Sequence, residues 1–192
     1  MRVHGNYIIS RRTDIDKRPY DQYLMEIRED FHHICGYCGK SEEVATKGFE
    51  IDHFVPQAVS SILKDEYQNL VYACFTCNRK KGKKWPTDDP KLMNNGKVGF
   101  VDPATEEYDE HLMRDATGKI VYKTPLGKYI CNQIFKFNIR PTDIVWKAMK
   151  IIELKKELQK KIATISPEEM KEYMAIDKEL SLLMEYIFKN RE

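Results

Sequence analysis

Two stretches of this 192-residue chain decide its fold: CGYCGKSEEVATKGFEIDHFVP, residues 35–56, and NLVYACFTCNRKKG, residues 69–82. Each stretch contains one C-x-x-C pair, and 35 residues separate the two pairs. Glycine and polar residues surround both pairs, as suits tight turns around a metal ion. Paired C-x-x-C sequences predict a tetrahedral structural zinc site with four thiolate ligands. The ligands would be Cys35, Cys38, Cys74 and Cys77.

Redox-active dithiols and unconnected buried thiols are the alternative interpretations of the same four cysteines. The amino-terminal sequence MRVHGNYIISRR lacks the apolar stretch and cleavage site of a secretory signal, so we expect a cytoplasmic protein. Disulfides are rare in that compartment, which favours zinc. The fifth cysteine, Cys131, lies in the apolar-patterned sequence YICNQIF and is expected to be a small buried hydrophobic residue.

Composition and charge indicate a globular protein with one strongly basic segment. Hydrophobic residues make up 42% of the chain and charged residues 32%, which is typical of a globular protein. No run of apolar residues is long enough to span a membrane. The net charge is only +2, but the sequence RKKGKK at residues 79–84 is strongly basic, whereas residues 141–192 contain equal numbers of basic and acidic side chains. We therefore expect any phosphate-binding surface in the first part of the chain.

Periodicity predicts an α+β fold. A helix opened by Pro19 leads to the first C-x-x-C pair, strands are predicted near residues 49–52 and 70–73, and a short basic helix is predicted within residues 78–84. Strand, strand and helix in this order form a ββα unit. A zinc ion bound by the two C-x-x-C pairs would staple this unit together.

The remainder of the chain is predicted to be a loop-rich extension followed by a helical hairpin. Two apolar stripes at helical spacing indicate the hairpin, and the sequence Ser166-Pro167-Glu168-Glu169 predicts the start of its second helix. The first stripe comprises Ile144, Ala148, Ile151, Leu158, Ile162 and Ile165, and the second comprises Met170, Tyr173, Met174, Leu180, Leu183 and Ile187. The expected domains are 1–30 (arm and helix), 31–86 (core), 87–140 (extension with a short hairpin and helix) and 141–192 (antiparallel helical hairpin).

The segment between the cysteine pairs carries residues suited to hydrolysis of a phosphodiester bond. His53 can accept a proton from water near neutral pH. Asp52 and Asn78 offer the oxygen ligands that Mg²⁺ or Mn²⁺ prefers. Asn69 can hydrogen-bond the backbone of the histidine loop and so hold its geometry.

These motifs together resemble the zinc-containing branch of the HNH endonuclease family. The order is C-x-x-C, then Asp52-His53-Phe-Val-Pro56, then Asn69-Leu70, then C-x-x-C-N-x-x-K-G ending at Gly82. The resemblance covers residues 35–82, a quarter of the chain. Each motif alone is weak evidence for this resemblance, but the four motifs in this order are specific to the family.

The resemblance implies a role for each matching residue. His53 would be the general base, Asp52 and Asn78 would hold the catalytic metal ion, and Asn69 would orient the histidine loop. Many family members have histidine where this chain has Asn78, so loss of that imidazole favours a hard cation such as Mg²⁺ or Mn²⁺. The basic run would then bind DNA phosphates. It comprises Arg79, Lys80, Lys81, Lys83 and Lys84.

Three functional hypotheses remain open from the sequence. The first is an HNH endonuclease that hydrolyses DNA and, by family analogy, leaves a 5′-phosphate and a 3′-hydroxyl. The second is a zinc-knuckle module that binds nucleic acid without catalysis. The third makes the nuclease one subunit of a bacterial defence or restriction assembly. The carboxy-terminal hairpin would pack on the core, form a dimer with a second copy, or dock a partner subunit.

Overall fold

The computed structural model describes residues 1–160 and 165–190. Within these ranges the chain forms six helices, joined by shorter helical turns, and two separate two-stranded sheets. The elements are α1 (Leu24–Asp30), β1 (Phe49–His53), β2 (Leu70–Cys74), α2 (Phe75–Lys81), α3 (Glu107–His111), β3 (Leu112–Arg114), β4 (Ile120–Tyr122), α4 (Pro125–Tyr129), α5 (Thr142–Lys160) and α6 (Pro167–Lys189).

Strands β1 and β2 and helix α2 form the predicted ββα unit. The strands are antiparallel, with Phe49 opposite Cys74 and His53 opposite Leu70. Helix α2 follows β2 directly because Cys74 is its amino-terminal cap: the Cys74 Sγ accepts a hydrogen bond from the backbone N–H of Cys77. The helix therefore begins at Phe75, three residues before the predicted start, and Gly82 ends it at a positive φ of 50°. The α+β class is confirmed.

The amino-terminal helix, predicted to lead to the first C-x-x-C pair, packs on the ββα unit. Tyr23, Ile27 and Phe31 are buried, as their helical spacing indicates. Leu24 lies at the same helical spacing but is 42% exposed, because the turn Tyr20–Tyr23 is a 3₁₀ helix and shifts the register of the residues around it.

One continuous hydrophobic core extends from Val3 to Phe137. The arm, the ββα unit and the extension all contribute side chains to it, so the extension packs on the core. Within the extension β3 and β4 form the predicted short hairpin, and Thr124 caps α4 by accepting a hydrogen bond from the backbone N–H of Gly127. Helix α4 does not continue as a regular helix, because residues Ile130–Ile134 form a π-helical turn.

Helices α5 and α6 form the predicted antiparallel hairpin. Lys147 pairs with Glu179 near one end, and Gln159 hydrogen-bonds Tyr173 near the other. The predicted capping box is present, since the Ser166 Oγ accepts from the Glu169 N–H and the Glu169 carboxylate accepts from the Ser166 N–H at 2.8 Å.

The hairpin buries its inner face against the rest of the chain. The second hydrophobic cluster joins Val44, beside the first cysteine pair, to residues of both helices: Val145, Trp146, Ala148, Met149 and Ile187. This contact within the chain explains why the start of α5 is buried.

The outer side of α6 carries several exposed apolar side chains. Met174, predicted to belong to the buried stripe, is 66% exposed, and Met170 also faces outward. The stripe residue Ile162 lies outside the described residues. Leu182, Tyr186 and Phe188 are also exposed, toward the end of the helix. None of the helices in the described ranges has the length and hydropathy needed to cross a membrane.

Candidate functional site

The four paired cysteines converge on one buried point. Their sulfur atoms all lie within 4.8 Å of one another, and the Sγ atoms of Cys38 and Cys74 are 3.8 Å apart. None of them forms a disulfide. The backbone turns tightly around the first pair: the Cys35 N–H donates to the Lys40 carbonyl at 2.8 Å, and the Gly39 N–H donates to the Cys35 carbonyl at 2.8 Å.

This cluster fits a zinc ion. Zinc–thiolate bonds are about 2.3 Å long, so tetrahedral coordination places neighbouring sulfur atoms about 3.8 Å apart. The separation of Cys38 and Cys74 has this value. Four protein ligands would leave no coordination position for water, as in zinc sites of the structural kind.

Asp52 lies at the centre of a buried polar triad. Its carboxylate accepts a hydrogen bond of 2.5 Å from the Tyr37 hydroxyl and lies 3.1 Å from the Lys81 Nζ. Burial raises the pKa of Asp52, whereas the Lys81 ammonium and the Tyr37 hydroxyl oppose that rise. Tyr37 belongs to the first cysteine pair and Lys81 ends the helix that follows the second. The triad therefore ties both zinc-binding segments to β1.

Lys81 differs from the other members of the basic run. Its side chain is 0% exposed and donates to the His53 carbonyl at 2.6 Å as well as contacting Asp52. The prediction that Lys81 binds a DNA phosphate is therefore wrong for this structure, because its ammonium group is already enclosed by protein acceptors. Helix periodicity explains the difference, since one position in each turn of α2 must face β1.

His53 follows Asp52 at the end of β1, and the two side chains have different partners. The His53 Nε2 lies 2.9 Å from the Lys64 carbonyl oxygen, which can only accept, so Nε2 carries the proton and Nδ1 presents a lone pair. The Gln57 amide nitrogen lies 3.2 Å from that Nδ1, and Tyr20 packs edge-on against the ring. Burial lowers the pKa of His53 below its usual value, so the imidazole is neutral at pH 7.

Asn69 holds the loop that follows His53. Its Oδ1 accepts from the Val55 N–H at 2.8 Å, and its Nδ2 donates to the carbonyls of Val55 at 3.1 Å and Leu63 at 3.0 Å. These are the backbone contacts predicted from its position before β2. The buried Asn69 amide thus holds both ends of the segment 55–63, which contains Gln57, by hydrogen bonds.

Asn78 lies on α2 and contacts a carboxylate that the sequence motifs do not include. Its Nδ2 donates to Glu50 Oε2 at 2.5 Å, and Arg79 contacts the other oxygen of Glu50 at 3.3 Å. Glu50 and Asp52 are two residues apart in β1, so their side chains lie on the same face of the strand. Helix α2 packs against this face through Asn78 and Lys81. A signal was present in the sequence, because position 50 lies two residues before Asp52 in a predicted strand.

The oxygen donors on this face match the chemistry of a hard divalent cation. Asp52, Asn78 and Glu50 offer carboxylate and amide oxygens of the type that Mg²⁺ and Mn²⁺ bind. The described contacts pair Asp52 with Lys81 and Asn78 with Glu50. A cation bound by Asp52 would therefore share that carboxylate with the Lys81 ammonium.

The remaining basic residues of α2 and the following turn form an open surface, called here the α2 basic surface. Its members are Arg79, Lys80, Lys83 and Lys84. Of these, only Arg79 has an ion pair among the described residues, with Glu50. Four basic residues of the arm, between residues 11 and 18, are already paired with carboxylates. These pairs are Arg11 with Asp102, Arg12 with Asp30 and Glu29, Lys17 with Glu66, and Arg18 with Glu26.

Comparison with known proteins identifies the class of this segment. Residues 35–84 match the model of the HNH endonuclease family, from the first zinc-binding cysteine to the end of the α2 basic surface. The resemblance carried by the cysteine pairs, Asp52-His53, Asn69 and Asn78 is thereby confirmed for this quarter of the chain. Comparison of the chain with curated proteins and with solved structures gives no match.

Proposed function

We propose that this protein is a metal-dependent HNH endonuclease that hydrolyses phosphodiester bonds of DNA with His53 as the general base. The observation that carries this proposal is the fixed tautomer of His53. Its Nε2–H is held by the Lys64 carbonyl and its Nδ1 lone pair lies next to the exposed Gln57, in a segment that matches the nuclease family. A neutral imidazole with one nitrogen committed is ready to accept a proton on the other.

In this proposal each residue around His53 has a defined task. The His53 Nδ1 accepts a proton from the attacking water, and the Lys64 carbonyl oxygen stabilises the imidazolium that results. Asn69 keeps the loop in place through its three backbone hydrogen bonds. Gln57 occupies the approach to Nδ1 and must move aside for water to enter.

The proposed catalytic ion is Mg²⁺ or Mn²⁺, held by Asp52 and Asn78 with Glu50 as an additional ligand. When bound, such an ion supplies positive charge to the scissile phosphate and its leaving oxygen. The α2 basic surface, on and directly after the helix that carries Asn78, would hold the neighbouring DNA phosphates. Arg79, Lys80, Lys83 and Lys84 are the residues proposed for that contact.

A second candidate function is binding of nucleic acid without catalysis. The observation that favours it is the pairing of Asp52 with Lys81 and Tyr37, which already satisfies the carboxylate. A protein of this kind would use the zinc-stapled core to present the α2 basic surface, and would need no divalent cation.

The outer face of α6 is proposed as the contact with a second copy of this chain. Met174, Leu182, Tyr186 and Phe188 are exposed there, whereas other apolar residues of the hairpin pack inward. Closed homodimers are the commonest symmetric assembly, and two nuclease sites suit cleavage of both DNA strands. A partner subunit of a bacterial restriction or defence system is the alternative occupant of the same face.

The proposed activity is tested by incubating purified, zinc-loaded protein with supercoiled plasmid and with single-stranded DNA. Parallel reactions contain Mg²⁺, Mn²⁺, or either ion with excess EDTA. The proposal predicts nicked or linear products with Mg²⁺ or Mn²⁺, none with EDTA, and 5′-phosphate ends. DNA binding without cleavage under all conditions would support the binding module instead, and cleavage that resists EDTA would contradict the metal-dependent mechanism.

A further inference from the structure

Two buried arginines flank the cysteine cluster, and both come from beyond the segment that matches the nuclease family. Arg114 ends β3 and is 1% exposed, and Arg140 precedes α5 and is 5% exposed. The matched segment ends at residue 84. Arginines are seldom enclosed so fully unless a negative charge accompanies them.

The contacts of Arg114 are with oxygen atoms of the backbone and with one aromatic ring. Its Nε donates to the Val3 carbonyl at 2.8 Å, Nη1 to the Gly118 carbonyl at 2.7 Å, and Nη2 to the Cys38 carbonyl at 2.6 Å. The ring of Trp146 lies 4.3 Å from the guanidinium carbon. No carboxylate pairs with Arg114 among the described residues. Its hydrogen bonds are satisfied, but its positive charge lacks a carboxylate partner.

Arg140 contacts a zinc-binding sulfur directly. Its Nη1 lies 3.3 Å from the Cys77 Sγ and 3.4 Å from the Phe135 carbonyl. A cavity of about 10 Å³, too small for more than one water molecule, is lined by Cys38, Arg114 and Arg140 together with the buried Lys40. Each C-x-x-C pair is therefore in contact with one arginine: Cys38 with Arg114 and Cys77 with Arg140.

The charge of a zinc tetrathiolate explains this arrangement. Four thiolates and one Zn²⁺ ion carry a net charge of −2, and burying that charge without compensation is costly. We propose that Arg114 and Arg140 neutralise the tetrathiolate zinc centre and thereby set its zinc affinity, so that the carboxy-terminal extension completes the metal site. The four cysteines bind the ion, and the two arginines make its burial favourable.

A purely structural role for the two arginines makes a different prediction. If they matter only as hydrogen-bond donors to carbonyl groups, lysine cannot replace them, because an ammonium group cannot reproduce the planar fork of a guanidinium. If their charge is what matters, lysine retains much of the function and methionine does not.

The experiment measures zinc affinity by competition with a chromophoric chelator on the full-length zinc-loaded protein. The variants are Arg114→Met, Arg140→Met, Arg114→Lys and Arg140→Lys. Arg11→Met is the matched control, because Arg11 is also a buried arginine but pairs with Asp102. Thermal unfolding of each variant records the loss of stability separately from zinc affinity.

We expect each methionine variant to bind zinc about 10- to 100-fold more weakly, which is the usual effect of removing a group that supports metal ligands. The lysine variants and Arg11→Met should retain affinity close to that of the wild type. Equal loss of zinc in the lysine and methionine variants, or in Arg11→Met, would overturn the proposal. If the methionine variants do not fold, the lysine variants decide: stoichiometric zinc supports charge compensation, and substoichiometric zinc contradicts it.

Discussion

At the scale of single residues, the buried pair of Lys81 and Asp52 joins the two zinc-binding segments to β1. Replacement of Lys81 by methionine keeps most of the side-chain volume but leaves the Asp52 carboxylate buried without its cation. Removal of one partner from a buried ion pair typically costs about 3–5 kcal/mol. We therefore expect Lys81→Met to lower the free energy of unfolding by this amount, as measured by denaturant titration.

The neighbouring Lys80 provides the control, because it is only half-buried and has no carboxylate partner among the described residues. Lys80→Met should change stability very little. The double variant Lys81→Met with Asp52→Asn should recover part of the loss, since no unpaired charge then remains. Equal stability of Lys81→Met and Lys80→Met would show that the buried pair does not stabilise the core.

The sequence allowed prediction of those candidate site residues that stand at characteristic spacings. Cysteine pairs, Asp52-His53 and Asn69 stand at spacings typical of the family, and the structure places the cysteines in one cluster and Asn69 on the histidine loop. The partners of these residues were not predictable. Lys81 is indistinguishable from its basic neighbours in the sequence, and only the packing of α2 on β1 gives it a buried position.

At the scale of the elements, Glu42 connects α1, the first zinc-binding segment and β2. Its carboxylate accepts from Arg28 at 2.9 Å and from the Tyr72 hydroxyl at 2.8 Å, and lies 3.0 Å from His33. The Arg28 guanidinium is the main cause that lowers the pKa of Glu42 to about 2. A carboxylate whose folded pKa lies below its usual value of 4.5 stabilises the fold above that pH.

This contribution should disappear as the pH falls from about 4.5 toward 2, because protonation then removes the ion pair. We expect Glu42→Gln to be less stable than the wild type at pH 7, with a difference that narrows as the pH is lowered below about 4.5 toward 3. Glu43→Gln is the matched control, since Glu43 pairs with Lys156 at the exposed surface. A difference that stays constant between pH 7 and pH 3 would contradict the role assigned to Glu42.

The α2 basic surface is predicted to bind DNA phosphates regardless of base sequence. Changing its four members to glutamine should weaken binding equally for all duplexes. The slope of log affinity against log salt should become less steep by about 0.9 for each phosphate that the protein no longer neutralises. The variant carries Arg79→Gln, Lys80→Gln, Lys83→Gln and Lys84→Gln.

The control for this measurement removes the same number of exposed cations from the helical hairpin. It carries Lys147→Gln, Lys150→Gln, Lys160→Gln and Lys189→Gln. Its salt slope should equal that of the wild type. An unchanged slope in the α2 variant would place the DNA-binding surface elsewhere on the molecule.

At the scale of the whole molecule, the helical hairpin has a buried face and an exposed face with different predicted roles. The buried face includes Trp146, which covers Arg114 and packs closely against Gly5 and Gly118. Truncation after Arg140 should therefore destabilise the core and lower zinc content. The hairpin and its capping box were predictable from periodicity, but the choice of face was not, because both faces of α6 carry apolar residues.

The exposed face of α6 is predicted to hold two copies together. Leu182→Glu places a charge on that face and should convert a dimer to a monomer, which light scattering coupled to size-exclusion chromatography measures as a halved mass. Glu179→Ala, which removes only a surface ion pair with Lys147, is the control and should leave the mass unchanged. A wild-type protein that is monomeric at high concentration would contradict self-association through this face.

The central claim is that His53 is the general base of a DNA-cleaving site, and the most direct test is the single-turnover cleavage rate of His53→Asn. The same change at His32, which is exposed and hydrogen-bonds the Ile8 carbonyl, provides the control. We predict that His53→Asn lowers the rate about 10²- to 10⁴-fold while zinc content and DNA affinity stay close to those of the wild type, and that His32→Asn cleaves normally. Cleavage by His53→Asn at the wild-type rate would contradict the account.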